Sequence, residues 1–424
     1  MRWSPVTRVA FRFLFVYFIL YSLATQISGG LILIPGLSFP GLGPFWPMRP
    51  ITVWVATHVF GITAPLAYAG NSGDTNFFWV QTAWLFMAAL GASVAWSVAA
   101  RRRAEHVTLH KWLHLLVRLA VAAQMFDYGM AKVIPTQMPA PSLLTLVEPV
   151  GHLSLQGLLW TSIGASPSYQ IFTGVAEVVG GLLLLVPRTT VLGAIICLAV
   201  MIQVFVLNLT YDVGIKLISF HLIVMILFLL APEARRLASV FMLDRAAEPS
   251  TRRELFRTPR ANRAALAAQI LFGVYLLGMY TAISRGYWYG EGGGGSPRSP
   301  LYGIWNVQEL SIDGLARPPV LNDYDRRWRR VIFDAPDVVV FQRTDDSFAR
   351  YGVVVDVGAR TLALTKGNSR SWQSTFAFER RSPGRLTLDG VMDGRTIHLD
   401  LQRVELDTFR LLNSTFRWVR PPDP

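Results

Sequence analysis

Seven long apolar stretches constrain the fold of this chain more than any other feature. Each approaches the length of about 20 residues that a helix needs to cross a hydrocarbon core of roughly 30 Å. The composition agrees, since 52% of the residues are hydrophobic and only 16% are charged. The sequence therefore predicts a polytopic α-helical membrane bundle of about seven spans. The stretches cover about 11–29, 79–99, 112–134, 169–186, 189–209, 215–231 and 264–284.

The basic residues lie mostly in short segments beside these apolar stretches. The chain carries 40 Lys and Arg against 27 Asp and Glu, a net charge of +13. Arg101, Arg102 and Arg103 follow the second stretch, and "TRRELFRTPRANR" precedes the seventh. With the N-terminus in the cytoplasm, every such cluster between spans falls on the cytoplasmic side, as the positive-inside rule expects. We therefore interpret the positive charge as a determinant of membrane topology rather than as a sign of nucleic-acid binding. We expect a multi-pass protein of the bacterial inner (cytoplasmic) membrane.

Two long connections, 30–78 and 135–168, fall on the outer side in this topology. They contain "RPITVWVATHVFGI" and "SLLTLVEPVGHLSLQGLLW", which are apolar but too short and too interrupted to cross a membrane. We expect interfacial or re-entrant helices that form a lid over the outer face of the bundle. His58 lies in the first of these helices and is a candidate to cover a site beneath it.

The composition changes after the seventh span. Residues 287–300, "YWYGEGGGGSPRSP", are typical of a flexible glycine-rich linker. Beyond them, short alternating stretches separated by Gly, Asp and Asn turns occur at hairpin spacing, which predicts a small all-β barrel or sandwich. "GIWNV" at 303–307 resembles the opening strand of lipocalin-like barrels. The predicted domains are a membrane domain over 1–286, the linker, and an extracytoplasmic β-rich domain over 301–424.

Polar residues recur inside the apolar stretches, mainly in their outer halves. Ionisable residues within a membrane face the protein interior, pair with one another, and often mark function. In the third span Gln124, Tyr128 and Lys132 recur every fourth residue on one stripe, with Asp127 beside it. Glu177 lies about half way along the fourth span. These positions predict a polar site within the outer half of the bundle.

The hairpin between the fifth and sixth spans, "NLTYDVGIKLISFHL" at 208–222, adds further polar groups at the same depth. We expect one shared pocket that handles protons or binds a ligand. The alternative is that the charged pairs only tie helices together, as interhelical polar contacts commonly do. The residues expected to act chemically are Lys132, Glu177, Asp212, Lys216 and His221. The residues expected to bind the ligand are Gln124, Asp127, Tyr128, Gln137, Asn208 and His58.

A second pattern competes with this site. "HVTLHKWLH" places His106, His110 and His114 at successive i+4 positions, a spacing that presents imidazoles to a metal from one helix face. A second histidine box is missing from the seven histidines, so we favour a basic interfacial anchor and assign no metal. The single cysteine, Cys197, excludes an internal disulfide and a CxxC dithiol. Signatures of a nucleophile elbow, a Walker loop and covalent haem are also missing from the sequence.

Three segments together resemble the DoxX-like membrane proteins. They are "FDYGMAKVIPTQMP", "LLWTSIGASPSYQIFTGVAEVVGGLLLLVPRTTVLGAI" and "NLTYDVGIKLISFHLIVMILFLLAPEARRL", and the resemblance covers about 112–237. Within it, Lys132 matches the family lysine and Glu177 the family acid. Asp212, Lys216 and His221 match the "YDV-x-x-K" element of the long members. The extra span and the β-rich domain are similar to the larger bacterial members of that group.

The resemblance implies a quinone ligand. The family name comes from a subunit of a thiosulfate:quinone oxidoreductase, and a relationship with vitamin K-dependent carboxylases has been suspected, so two relatives handle a quinone ring. Quinone reduction needs proton donors at both carbonyls and an apolar sleeve, which His221, Lys132 and Lys216 with the acids would supply. The first hypothesis is therefore a quinone-linked oxidoreductase subunit in the lipid bilayer, working with a respiratory partner.

The second hypothesis is non-enzymatic. In it the protein is a membrane scaffold or receptor whose C-terminal β domain binds a periplasmic partner or ligand. A transport function ranks last, because the inner halves of the predicted spans are almost uniformly apolar and offer no continuous polar path.

Overall fold

The computed structural model describes residues 3–66, 68, 73–100, 105–246, 254–290, 293–320, 327–367, 369–413 and 418–419. Helices dominate the first two thirds of the chain, as the apolar stretches predict. The helices in the described ranges are α1 (Pro5–Ala24), α2 (Gln26–Leu31), α3 (Met48–His58), α4 (Asn76–Ala99), α5 (Val107–Val133), α6 (Leu155–Gly164), α7 (Pro167–Leu185), α8 (Thr190–Thr210), α9 (Lys216–Leu230), α10 (Ala234–Phe241), α11 (Pro259–Gly290) and α12 (Arg410–Asn413).

Short antiparallel strands make up most of the rest. They are β1 (Gly303–Ile312), β2 (Leu315–Ala316), β3 (Trp328–Phe333), β4 (Val338–Arg343), β5 (Phe348–Asp356), β6 (Thr361–Lys366), β7 (Ser369–Ser382), β8 (Arg385–Met392) and β9 (Arg395–Arg403).

Six helical segments are long and apolar enough to cross a membrane, so the protein is a multi-pass membrane protein. They are α1, α4, α7, α8, α11 and the continuous segment from α9 through α10. The one predicted span outside this set is the third, 112–134, which corresponds to α5, and the 27 residues of α5 suffice in length. It carries four charged side chains, Lys111, Arg118, Asp127 and Lys132.

Helix α5 can carry these charges because other helices surround it. Ala120, Val121, Ala122 and Ala123 are fully buried in succession, so all sides of the helix are covered over this turn. A helix buried all round needs partners rather than lipid. The side chains of α5 therefore form much of the core of the helical unit, together with α1 and α9.

The first predicted span is interrupted. Helix α1 ends at Ala24, Thr25 is extended, and α2 begins at Gln26. The following loop returns and donates Leu42 N–H to Leu23 O (2.8 Å) and Gly43 N–H to Ala24 O (3.0 Å). The break occurs because these amides satisfy carbonyls that a continuing helix would have used.

Helix α3 of the first outer connection packs on α4. Trp84 Nε1 donates to Thr52 Oγ1 at 3.0 Å, and Thr52 is fully buried between the two helices. Gln81 of α4 donates to Gly43 O at 3.2 Å, which fixes the loop before α3. This half of the predicted lid therefore belongs to the helical unit.

The strands form a closed barrel rather than a sandwich. Strands β1 and β3 to β9 pair in chain order, and β9 pairs back with β1 from Trp305↔Arg403 to Ile312↔Ile397. Strand β2 only extends a hairpin from β1. Closure removes exposed sheet edges. The "GIWNV" motif forms the first half of β1, and Trp305 is fully buried in the interior with its Nε1 donating to Leu301 O at 3.0 Å.

The chain divides into two compact units, and the boundaries differ from the predicted ones. The helical unit comprises 1–137 and 168–285, and the barrel unit comprises 138–167 and 286–424. The outer connection between α5 and α7 thus belongs to the barrel unit. The predicted linker is also partly helical, because α11 continues to Gly290 and Gly293 packs against the Trp288 backbone.

An apolar strip on the outside of the barrel explains this boundary. Ile304, Ile332 and Val340 point outward from neighbouring strands and are buried against Leu143 and its neighbours. Leu143 N–H also donates to Asp334 Oδ2 at 2.9 Å. The connection predicted as a lid on the bundle therefore uses its apolar side chains to cover the barrel.

Candidate functional site

A buried ion pair joins α5 to α7. Lys132 Nζ lies 2.7 Å from Glu177 Oε1 and 2.8 Å from Oε2. Both residues are buried, at 6% and 1% exposure. The sequence predicted both as site residues, and the structure brings them together. A charge in a membrane interior needs such a partner, because an unpaired one is strongly penalised.

Two glycines set the distance between these helices. A Cβ on Gly174 would lie 2.6 Å from Gly129 O and 2.7 Å from Lys132 Cβ. Small residues allow such close backbone contact between membrane helices. Lys132 follows Gly129 by three residues and Glu177 follows Gly174 by three, so both charged side chains leave their helices one turn beyond the crossing point.

A hydrogen-bonded network continues from this pair along α5. Gln26 Nε2 donates to Gln124 Oε1 and to Tyr128 Oη, both at 2.8 Å. We call Gln124, Tyr128 and Lys132, together with Gln26 of α2, the α5 polar stripe. Gln26 was missed by the sequence reasoning. The only signal was a glutamine near the outer end of the first apolar stretch.

Asp127 lies beside the stripe and is half-buried. It forms no hydrogen bond or ion pair with any residue that the structure describes, although it is within electrostatic range of Lys132 and Glu177. Gln124 Nε2 is buried and likewise lacks an acceptor within the described ranges. It faces Gly30, whose carbonyl accepts from Tyr280 Oη at 3.2 Å. The site therefore contains polar groups that the described chain does not satisfy.

His221 has a different set of partners. Its Nδ1 lies 2.7 Å from Leu217 O and its Nε2 lies 2.7 Å from Tyr17 Oη. Since a carbonyl only accepts, Nδ1 carries the proton and Nε2 accepts from Tyr17. The Tyr21 ring stacks on the imidazole with centroids 3.8 Å apart. The contacts of His221 thus lie on α1 and α9, and no direct contact joins it to Lys132 or Glu177 in the described part of the chain.

Lys216 and Asp212 pair at the start of α9. Lys216 Nζ lies 2.8 Å from Asp212 Oδ1, and this hydrogen bond holds the pKa of the fully exposed Asp212 below its ordinary value. Asp74 was not predicted, yet its carboxylate accepts from the backbone amides of Lys216 (2.8 Å) and Leu217 (2.9 Å). It caps the helix and lies 3.6 Å from Lys216 Nζ. These residues fix the hairpin between α8 and α9.

The remaining predicted residues form contacts with residues other than Lys132 and Glu177. Asn208 Nδ2 donates to Ser219 Oγ at 3.1 Å and ties α8 to α9. His58 is exposed, stacks on Trp54 at 4.8 Å and bonds to its carbonyl. Gln137 is the last residue of the first segment of the helical unit. Its Oε1 is buried and has no hydrogen-bond donor among the described residues.

A buried cation near the middle of α5 was not predicted from the sequence. Arg118 is 5% exposed, and its guanidinium donates to Thr190 of α8 (3.4 Å) and to Gln269 of α11. The expectation that the inner halves are almost uniformly apolar is therefore wrong at this position. The arginine in the middle of the third apolar stretch was the available signal.

The histidine series on α5 packs against aromatic rings. His106 accepts from Arg12 Nε at 3.1 Å, and its ring lies parallel to Phe11 with centroids 5.9 Å apart. His110 contacts both Trp3 and Phe11. Among the residues that the structure describes, no three His, Cys, Asp or Glu side chains are arranged to hold a metal ion. These contacts fasten α1 to the first turns of α5.

Chemically, the ion pair and the α5 polar stripe combine donors and acceptors in an apolar setting. Lys132 supplies an ammonium and Tyr128 a hydroxyl, while Glu177 and Asp127 supply carboxylates. Such a set can orient a small polar head group and exchange protons with it. The stripe spans two helical turns, roughly 12 Å along the helix axis.

Comparison with known proteins gives one informative similarity. The chain is 33% identical over 124 residues to a protein of Bacillus subtilis (strain 168) described as "Uncharacterized protein YwoB". The matched region is 29% of this chain and 79% of that protein. No family model matches the chain. No solved structure matches it. With most of its length matched by this chain, YwoB of Bacillus subtilis is a relative, and the chain belongs to the same family.

Proposed function

We propose that the helical unit is a DoxX-like membrane domain that binds a quinone head group beside the α5 polar stripe, as part of a quinone-linked redox subunit. One observation carries the proposal. Asp127 lies next to a buried ion pair and has no partner among the described residues. Asp127 is half-buried, and Gln124 Nε2 beside it is buried without an acceptor in the described ranges. Unsatisfied polar groups are costly within a membrane. A bound molecule with polar atoms would satisfy this carboxylate.

The donors of the site suit the two ends of a quinone. Lys132 directs N–H groups to both oxygens of Glu177, and its Nζ also lies 3.5 Å from Tyr128 O, a long hydrogen bond that a ligand oxygen can replace. Tyr128 accepts from Gln26 and can donate its own hydroxyl hydrogen. The two side chains begin one helical turn apart, roughly 6 Å along the axis. This spacing is comparable to the distance between the two oxygens of a benzoquinone ring.

The carboxylates suit the reduced form of the same molecule. When bound, a quinone takes up two electrons and two protons, and a quinol releases them. Asp127 and Glu177 accept hydrogen bonds from quinol hydroxyls and hold the protons that leave. The Lys132 ammonium stabilises negative charge on an oxygen nearby, and this effect is strong where water is excluded. A respiratory partner protein exchanges the electrons.

The finer localisation belongs to the same proposal. We place the protein in the bacterial inner membrane with the N-terminus in the cytoplasm and the barrel outside it. The arginine clusters after α4 and before α11, and the single Arg188 between α7 and α8, support this orientation, because short loops rich in Lys and Arg remain in the cytoplasm.

Quinone retention by the full-length protein tests the function. The protein is purified in a mild detergent and its bound quinone is extracted and quantified. We expect a stoichiometric quinone in the wild type and strong depletion in Asp127→Asn. A barrel control, Asp337→Asn, removes an exposed carboxylate and should retain the quinone. Equal quinone content in both variants would exclude Asp127 from the site, and a wild type that retains none would contradict the proposal.

A cavity in the barrel unit favours the second candidate function, a receptor for a periplasmic partner or ligand. Its volume is about 350 Å³, and Leu146, Leu158 and Phe409 line it together with Glu148 and Arg410. Leu158→Arg in the full-length chain would block this cavity without touching the α5 polar stripe. Loss of a periplasmic ligand in this variant, with quinone retention unchanged, would favour the receptor function. Unchanged ligand recovery would exclude the cavity.

A further inference from the structure

Helix α10 has two chemically different faces. It forms the last part of the membrane-spanning segment that begins with α9, after the single turn Ala231–Glu233. With 3.6 residues per turn, Leu237 and Phe241 share one face and Arg235 and Arg236 the other. Leu237 packs against the core of the helical unit. The apolar face therefore contacts the rest of the protein through Leu237 and extends past that contact to Phe241.

The end of this apolar face is uncovered. Phe241 is 75% exposed and Met242 is 84% exposed, and Leu243 follows them with 55%. Three successive large apolar side chains with this exposure are unusual where a chain meets water. They directly follow a membrane-spanning segment, so they lie at the depth where acyl chains meet lipid head groups.

The chain reverses after these residues and brings back a third arginine. Asp244 adopts a left-handed conformation (φ 46°), and Arg245 N–H donates to Ser239 O at 2.9 Å. Ser239 lies on the same face as Arg235 and Arg236. Arg236 also pairs with Glu233 at 3.2 Å. All three arginines therefore lie on the polar side of the helix, opposite Phe241.

A second group of arginines begins α11 at the same end of the helical unit. Arg257, Arg260 and Arg263 are exposed. Positive charges in the first turn of a helix oppose its dipole, so helix stability does not account for them. Asn262 holds this segment in place. Its Oδ1 accepts from Phe256 N–H (2.9 Å) and its Nδ2 donates to Phe256 O (3.0 Å).

Together these residues form a surface of positive charge next to exposed apolar side chains. The described ranges 233–246 and 254–263 contain six arginines and three acids. We define the basic surface by Arg235, Arg236, Arg245, Arg257, Arg260 and Arg263. Helix α9 ends at this surface and α11 begins there, so it lies at one membrane boundary of the helical unit.

We propose that the basic surface binds the head groups of anionic phospholipids, with Phe241 and Met242 inserted among the acyl chains. The charge complementarity identifies the lipid, because phosphodiester head groups with a net negative charge attract guanidinium groups bidentately. Zwitterionic head groups carry a balancing positive charge and gain much less. The exposed apolar residues identify a lipid surface rather than a soluble anion.

Native mass spectrometry of the full-length protein tests this proposal independently of the quinone site. The protein is released from nanodiscs that contain equal amounts of phosphatidylglycerol and phosphatidylcholine, and the retained lipids are counted. We expect preferential retention of phosphatidylglycerol by the wild type. Each arginine near an anionic leaflet contributes about fivefold to partitioning, so R235Q/R236Q/R245Q should lower the preference on the order of a hundredfold.

The matched control changes the same number of charges elsewhere. Arg360, Arg380 and Arg395 are exposed on the barrel, and their replacement by glutamine should leave the lipid preference unchanged. On the wild type, raising the salt concentration should weaken the preference by screening. Phe241→Ser should lower retention of both lipids. Equal retention of the two lipids by the wild type at low salt, or an equal loss in both triple variants, would overturn the proposal.

Discussion

Lys132 and Glu177 form a bidentate ion pair, with Nζ 2.7 and 2.8 Å from the two carboxylate oxygens, and each residue follows a crossing glycine by three positions. The crossing of α5 and α7 therefore determines both the separation and the burial of the two charges. Both charges are buried away from water, so removing one of them should leave the other without a partner. This relationship can be tested before any ligand is known.

Removing one partner should destabilise the protein strongly. Lys132→Met leaves the Glu177 carboxylate buried without its partner, which costs about 3–5 kcal/mol of unfolding free energy. The double variant Lys132→Met/Glu177→Met removes both charges and should unfold within about 1 kcal/mol of the wild type. Thermal and denaturant unfolding in one detergent measure both. A double variant as unstable as the single one would show that the unpaired Glu177 charge is not the cause of the instability.

The glycines at the crossing should tolerate no side chain. Gly174→Ala would place a Cβ 2.6 Å from Gly129 O, so the two backbones must separate. We expect a loss of about 1–3 kcal/mol in unfolding free energy, because overpacking a close helix contact forces the backbones to shift. Gly278→Ala in α11 is the matched control, since nothing lies within 4 Å of its added Cβ. That variant should be neutral or stabilising through its helix propensity. Similar melting temperatures for the two variants would contradict the close crossing.

The two tyrosines around His221 should differ in their response to loss of the hydroxyl. Tyr17→Phe removes the donor to His221 Nε2 (2.7 Å) and leaves a buried acceptor unsatisfied, at a cost of about 1–3 kcal/mol. Tyr21 Oη is buried without a partner in the described part of the chain, so Tyr21→Phe should be neutral or stabilising. Unfolding free energies of the two variants, measured under the same conditions, check that Tyr17→Phe is the less stable. A reversed order would mean that the imidazole is held by Tyr21.

The contribution of Asp334 to the stability of the barrel unit should increase as the pH falls. Burial of Asp334 raises the pKa of its carboxyl, while the Leu143 amide and Arg298 act in the opposite direction. Because the pKa in the folded state lies above the value in the unfolded state, the folded state binds more protons across that interval. Stability contributed by this group is therefore low at neutral pH and is gained as the pH falls through the raised pKa.

Unfolding of the full-length protein across the acidic range measures this effect. Asp334→Asn keeps an oxygen for the Leu143 amide and removes the charge. Its unfolding free energy should equal or exceed that of the wild type at neutral pH, and the difference should shrink on acidification. Asp337→Asn, at an exposed position, should follow the wild type at every pH. A wild type that loses stability relative to Asp334→Asn on acidification would contradict the assignment.

The helices and the barrel could be predicted because each depends on local pattern. Apolar length located the spans, and alternation with Gly and Asp turns located the strands. The break at Thr25 could not be predicted, because it depends on a loop that returns to α1 from residues 42 and 43. The placement of 138–167 on the barrel also depends on contacts distant in sequence, between Leu143 and Ile304 among others.

The spacing of the polar residues along α5 could be predicted from the sequence, but the contacts between the predicted residues could not. The four-residue spacing put Gln124, Tyr128 and Lys132 on one stripe, and the structure agrees. Membrane depth alone suggested that His221 joins Lys132 and Glu177, but depth does not fix the rotation of α9, and His221 instead contacts α1. Gln26 and Asp74 were missed because their roles depend on partners far along the chain.

Photoaffinity labelling tests the central claim, that a quinone head group binds beside the α5 polar stripe, most directly. The full-length protein in lipid nanodiscs is irradiated with a photoreactive quinone, with and without excess unlabelled quinone, and the labelled peptides are identified by mass spectrometry. We expect competed labelling of peptides from α5 and α7 that contain Lys132 or Glu177, and loss of that labelling in Asp127→Asn. Labelling that excess quinone does not reduce, or that falls only on barrel peptides, would contradict it.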